Sequence, residues 1–83
     1  MSMSKDNKKR MEKCKAAGME IFDQLESQGI EMVGCGVGWA DDGNDFIVKM
    51  WMHVNERKKG HVLPADNKGF RINYEYMDYP QLA

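Results

Sequence analysis

Two apolar runs separated by a turn-rich stretch occupy the middle of the chain. The first run, residues 34–39, alternates glycine with larger residues, and the second covers residues 46–54. Successive side chains of a strand point to opposite faces, so both runs predict strands. The six-residue stretch 40–45 between them predicts a hairpin in which Trp39 lies opposite Phe46. The same register pairs Val37 with Val48, Cys35 with Met50 and Val33 with Met52.

The predicted hairpin has one apolar face and one nearly bare face. Gly34, Gly36 and Gly38 alternate with the apolar residues and therefore share the second face. Glycine weakens a strand, and an aromatic side chain laid across it restores cover. Trp51, opposite Gly34, is the natural candidate. Two interpretations follow. Either the glycines only make room for the Trp51 side chain and bend the strand, or the backbone of a partner packs on the glycine face.

A helix precedes the hairpin and a third strand follows it. Between about residues 7 and 28 the apolar positions recur at the three–four spacing of a helix, and Gly29 stands where a C-terminal cap belongs. A long connection, residues 55–69, leads to the third strand. This strand presents one inner face made of Phe70, Ile72, Tyr74 and Tyr76.

These elements predict an α+β fold of order α-β-β-β. One N-terminal helix packs on one face of a three-stranded, mostly antiparallel sheet. The 83 residues suffice for one core, so we expect a single domain, 1–83, with frayed tails at 1–6 and 78–83. The opposite sheet face is expected to carry Ile47, Lys49, Trp51, His53, Arg71, Asn73 and the glycines.

Composition narrows the classes of function. The formal net charge of −1 argues against bulk electrostatic binding to nucleic acid or to an anionic membrane. No apolar run approaches the length of a membrane-spanning helix. The polar, basic start of the chain lacks the apolar stretch of a secretory signal. We therefore expect a cytoplasmic protein without membrane contact.

The glycine, cysteine and histidine residues do not form a known catalytic, cofactor-binding or metal-binding motif. The G-x-G-x-G run continues into a turn and a strand, whereas a dinucleotide fingerprint leads into a helix. Cys14 and Cys35 are interpreted as reduced core thiols, with a bridge between them as the alternative. His53 and His61 are the only histidines, and neither stands in a metal-binding spacing. We predict no enzymatic activity, no cofactor and no metal.

Four short segments resemble a poorly characterised bacterial module that accompanies trypsin-like proteases and reads approximately GVGVG…VxV…LP…GxxV. The matching segments are the glycine strand 34–38, Ile47-Val48, Leu63-Pro64 and the strand that starts at Gly69. The resemblance spans roughly residues 30–76. It implies a small α+β accessory or interaction segment without catalytic residues of its own, and it transfers no functional residue.

The sequence therefore predicts a non-enzymatic interaction or accessory module that self-associates through its sheet, as a homodimer, or binds another protein. The reason is the apolar patch that Trp51 and Ile47 form on a glycine-bare face. The alternatives are a single-stranded nucleic-acid-binding protein that uses Trp51, Lys49 and Arg71, and a monomer whose 55–69 connection covers the face. The predicted interface comprises Trp51, Ile47, Lys49, Gly34, Gly36, His53 and Arg71.

Overall fold

The fold is α+β, with one long N-terminal helix packed on a sheet, as the sequence predicts. The computed structural model describes residues 5–41, 43 and 45–80. The elements in chain order are helix α1 (Lys5–Ser27), strand β1 (Met32–Trp39), strand β2 (Phe46–His53), a 3₁₀ helix (Val54–Lys59), strand β3 (Asp66–Asn67) and strand β4 (Phe70–Met77).

The described residues form a sheet of four strands in the order β1-β2-β4-β3, which corrects the predicted three-stranded, mostly antiparallel sheet. β2 pairs antiparallel with β1 but parallel with β4. A parallel pair needs a long crossover, and the connection between His53 and Phe70 supplies it. Lys68 and Gly69 both have positive φ, 52° and 86°, which fits a two-residue hairpin turn. That turn adds β3 beside β4.

The predicted hairpin register is confirmed over most of its length. Trp39 pairs with Phe46, Val37 with Val48, Cys35 with Met50, and the three glycines with Ile47, Lys49 and Trp51. The predicted pairing of Val33 with Met52 is wrong, because the register shifts between Met32 and Gly34. The extra residue forms a bulge, so that Met32 pairs with Met52 and is buried in the core.

The core lies between α1 and the inner face of the sheet. Cys14, Ala17, Ile21 and Leu25 are buried along one side of α1. Gly18 belongs to the same side, and a Cβ built on it would lie 3.0 Å from Val48 Cγ1. Glycine inside a helix costs about 1 kcal/mol relative to alanine. The absence of a side chain at Gly18 lets α1 approach β2 closely, which offsets this cost.

The predicted frayed tails, 1–6 and 78–83, lie only in part within the described residues. Residues 1–4 and 81–83 lie outside the described residues, whereas α1 already begins at Lys5. After β4, the Asp78 carboxylate lies 3.2 Å from His53 Nε2, and the Tyr79 hydroxyl donates to Glu31 Oε2 at 2.5 Å. The chain beyond β4 therefore packs back onto one end of the sheet.

Enlarging Gly18 should separate α1 from β2. We expect Gly18→Leu to destabilise the fold by about 1–3 kcal/mol or more, the range for overpacking a core. Ala16→Leu is the matched control, because Ala16 is exposed on the same helix. Urea denaturation of both variants measures the difference. Equal free energies of unfolding would show that α1 does not need this close contact.

Candidate interaction surface

The sheet face that points away from α1 carries the residues predicted for the interface, except for the buried His53. We call this surface the open face. The strand registers place Trp51 opposite Gly34 on one side and opposite Glu75 on the other. The open face consists of Gly34, Gly36, Gly38, Ile47, Lys49, Trp51, Arg71, Asn73 and Glu75.

Side chains of β2 cover two of the three glycines diagonally. A Cβ on Gly36 would lie 3.4 Å from Trp51 Cζ3, so the indole rests on Gly36 rather than on Gly34. A Cβ on Gly38 would lie 2.6 Å from Lys49 Cε, so the lysine stem rests there. Diagonal neighbours across strands are within reach of such long side chains. Around the Cβ position of Gly34 no heavy atom of the described residues comes within 4 Å.

Glu75 orients the indole of Trp51. Trp51 Nε1 donates a hydrogen bond to Glu75 Oε2 at 2.9 Å. The sequence pattern did not identify Glu75, because this contact depends on the parallel pairing of β2 with β4. The carboxylate places a negative charge on the same face as Lys49 and Arg71.

His53, predicted as an interface residue, is buried. Its Nδ1 accepts a hydrogen bond from the Asn55 backbone N–H at 3.2 Å, which assigns the proton of the neutral ring to Nε2. Nε2 then donates to Asp78 Oδ1. The Tyr79 ring packs against the imidazole with centroids 5.1 Å apart. Strand parity placed His53 on the correct face, but only the path of the chain after β4 shows that it is covered.

A buried carboxylate ties the start of β1 to the 3₁₀ helix. Glu56 is 1% exposed and accepts hydrogen bonds from Lys59 Nζ at 2.6 Å and from the Glu31 backbone N–H at 3.2 Å. His61 Nε2 lies 3.4 Å from Glu56 Oε1, the same oxygen that accepts from the Glu31 N–H. The Lys59 hydrogen bond is the main cause that lowers the pKa of Glu56, and the Glu31 N–H adds to it. The sequence pattern gave no signal for this group.

The connection between β2 and β4 lies against the inner face. The Arg57 guanidinium lies 5.4 Å from the ring centroid of Tyr76, and the Tyr74 hydroxyl donates to the Pro64 carbonyl at 2.6 Å. Leu63 packs against the core. Because Tyr74 and Tyr76 belong to the inner face, these contacts place the connection beside α1 and away from the open face.

β1 is an edge strand with unpaired backbone groups. Among the described residues, β2 is its single strand partner. The Ala40 N–H donates to the Asp45 carbonyl at 2.8 Å, so these two residues form a hydrogen-bonded pair. Hydrogen-bonded and non-hydrogen-bonded pairs alternate in an antiparallel ladder, so the three glycines of β1 also bond to β2 and the residues between them do not. The backbone groups of Cys35, Val37 and Trp39 therefore point outward. We call these outward groups the free edge.

The sequence of β1 has none of the usual protection of an edge strand. Exposed edges are normally blunted by charged residues or proline. Met32–Trp39 contains neither. At the other end of the sheet β3 is only two residues long, and its neighbour β4 carries Arg71 and Glu75. The free edge of β1 is thus the more exposed template for strand pairing.

A groove of about 410 Å³ runs between α1 and β1, beside the free edge. Met19, 43% exposed, stands on its rim, and its sulfur lies 3.4 Å from Cys35 Sγ. We call this feature the α1–β1 groove. It is lined by Met11, Glu12, Lys15, Gly18, Met19, Cys35, Gly36 and Val37.

No family model, no curated protein and no solved structure matches this chain at a significant level. The resemblance to the GVGVG module therefore stays a prediction. Among the residues that the structure describes, no three His, Cys, Asp or Glu side chains are grouped to hold a metal ion. In the same part of the chain, no helix has both the length and the apolar character needed to cross a membrane.

The Glu56 contacts should make stability depend on pH. A carboxyl group with a lowered folded pKa stabilises the fold above its unfolded pKa, and this contribution is lost as the pH falls through the folded pKa. The reference pKa is 4.5, so the loss should begin below that value. We expect the wild type to lose stability there more steeply than Glu56→Gln.

Urea denaturation at several pH values on both sides of this point measures the two slopes. Asp41→Asn, at an exposed position of the loop between β1 and β2, is the control and should keep the wild-type slope. Parallel curves for wild type and Glu56→Gln would contradict the assigned role.

Proposed function

We propose that this chain is a non-enzymatic protein-interaction module that self-associates through its sheet. The strand that pairs with β1 is β1 of a second copy. The single observation that supports this most is the free edge: an uncharged, eight-residue strand whose outward backbone groups have no partner within the sheet. Strand addition satisfies such groups, and main-chain hydrogen bonds supply affinity.

Twofold symmetry fixes how two β1 strands would meet. Antiparallel pairing centred on Gly36 places Cys35 of each copy opposite Val37 of the other. Both residues have outward backbone groups, so each of these two pairs exchanges N–H···O bonds. The same surface is used on both subunits, as a closed dimer requires.

In this arrangement the predicted interface residues Gly34 and Gly36 lie at the new junction, and Ile47, Lys49 and Trp51 lie one strand away. Arg71 on β4 and the buried His53 lie outside it. The glycines of both copies meet on the open face, and Trp51 flanks them on either side. Face-to-face packing of two open faces is the less favourable alternative. It would bury Lys49, Arg71 and Glu75, and burying charged groups costs free energy unless each finds a partner.

The states of His53 and of the two cysteine side chains support a non-enzymatic role. Both ring nitrogens of His53 already have partners, so the ring lacks a free position for proton transfer to a substrate. Burial is the main cause that raises the pKa of the Cys14 and Cys35 thiols. A protonated thiol is a weak nucleophile. Both cysteines are free, which fits the reducing cytoplasm that we propose as the location.

A charge placed on the free edge should abolish the dimer. Gly34 has no positive φ and has open space around its Cβ position, so Gly34→Lys fits a single chain. In the paired strands this lysine would stand beside Gly38 of the second copy, which the stem of Lys49 covers. We expect like-charge repulsion and loss of strand pairing.

Sedimentation at micromolar concentrations measures the effect. The wild type should sediment with twice the chain mass of 9.6 kDa, and Gly34→Lys with the mass of one chain. Val62→Lys adds the same charge at a position that is 97% exposed, and it should stay dimeric. A dimeric Gly34→Lys would exclude β1 as the contact.

Single-stranded nucleic-acid binding on the open face is the second candidate. Lys49, Trp51 and Arg71 do share this face, and aromatic and basic residues on a sheet stack and hold unpaired bases. Against it, the carboxylate of Glu75 is hydrogen-bonded to the indole and would repel phosphate. We therefore place it second.

Indole fluorescence separates the two candidates. Trp39 is 52% exposed, so Trp39→Phe is needed to isolate the signal of Trp51. We expect no change when mixed single-stranded oligonucleotides are added at low salt. Salt-sensitive quenching, with a loss of about 1–3 kcal/mol of binding free energy in Trp51→Ala, would support the second candidate instead.

A further inference from the structure

The charges along α1 run in the order that its own dipole disfavours. Residues 5–15 contain six basic and two acidic residues, and residues 16–27 contain three acidic and no basic residues. A helix dipole favours negative charge near the N-terminus and positive charge near the C-terminus. An antiparallel neighbour with the same charge order would relieve this cost at both ends.

The helix side beside the free edge shares this charge order. Lys15 lines the α1–β1 groove, and Lys8 lies about two turns away on the same side by the 3.6-residue period. Glu12 also lines the groove between them, so this half of the side carries two positive charges and one negative charge. The acidic end of this side consists of Asp23 and Glu26. The pKa of the Cys35 thiol is raised mainly by burial and further by Asp23, whereas Lys15 lowers it. The charges of Asp23 and Lys15 are therefore close enough to β1 to influence the Cys35 thiol.

We propose that the α1–β1 groove of each copy is a docking site for α1 of the second copy. The two helices lie antiparallel, so that the basic half of each faces the acidic half of the other. This inference rests on the self-association proposed above, and it adds a second surface and a fixed helix orientation to the paired strands.

The spacing of the sheet permits this contact. α1 packs over β1 and β2, and neighbouring strands lie about 4.8 Å apart. The helix axis is therefore about 2.4 Å inside β1, and the dyad of the paired strands is about 2.4 Å outside it. The two helix axes then lie about 10 Å apart, at the upper end of the usual range for packed helices.

The contact also has an apolar centre. Met19 stands exposed on the rim of the groove, whose floor is formed by Cys35 and Val37 of β1. Across the dyad, Met19 of one copy approaches the groove of the other. A flexible thioether adapts to such an irregular surface.

Charge reversal at the two ends of α1 tests the orientation of the helices. The first variant combines Lys8→Glu with Lys15→Glu, and the second combines Asp23→Lys with Glu26→Lys. Each variant alone brings like charges together twice in the dimer. We expect its dissociation constant to rise about tenfold or more at low salt. A mixture of the two variants restores opposite charges at both contacts and should form heterodimers of near wild-type affinity.

Native mass spectrometry counts homodimers and heterodimers in the mixture. The control combines Lys9→Glu with Lys13→Glu, which reverses two exposed charges on the solvent side of α1. It should leave the wild-type affinity unchanged. If both reversed variants dimerise like the wild type and show no preference for each other, the helix contact is excluded while the β1 pairing stands. A monomeric wild type would instead overturn the self-association itself.

Discussion

The structure depends on a strand that carries side chains on one face only. β1 alternates three glycines with apolar residues, so its inner side chains reach α1 while its outer face has no Cβ atoms. The outer face is then covered from β2, by Trp51 over Gly36 and by Lys49 over Gly38. All of these covering side chains come from β2, which lies along one edge of β1. The opposite edge of β1 has no neighbouring strand among the described residues, and this is the free edge.

The same constraint connects the interaction surfaces. A bare glycine strand lets two copies approach closely along the open face, and its uncharged sequence offers no repulsion at the edge. On the opposite side, α1 presents a basic half and an acidic half beside that edge. Strand pairing and helix pairing about one dyad would therefore satisfy the outward backbone groups and the unfavourable helix charges together.

Local sequence patterns predicted the hairpin of β1 and β2, but they did not predict the long-range parallel pairing of β2 with β4. The alternation of glycine with Val37 and Trp39 fixed the register because a slip of one residue would turn the apolar set outward. The bulge at Val33 left no such signal, since Met32 and Val33 are both apolar. The direction of β4 depends on the path of a long connection, and Glu75 became the partner of Trp51 only through that direction.

Amide hydrogen exchange resolved by residue tests the pairing of β1 most directly. The N–H groups of Gly34, Gly36 and Gly38 bond to β2 in a single chain, whereas those of Cys35, Val37 and Trp39 point outward. If β1 pairs with β1 of a second copy, the outward set gains protection as the protein concentration rises, while the glycine set is protected throughout. Fast exchange of Cys35 and Val37 at every concentration would contradict it.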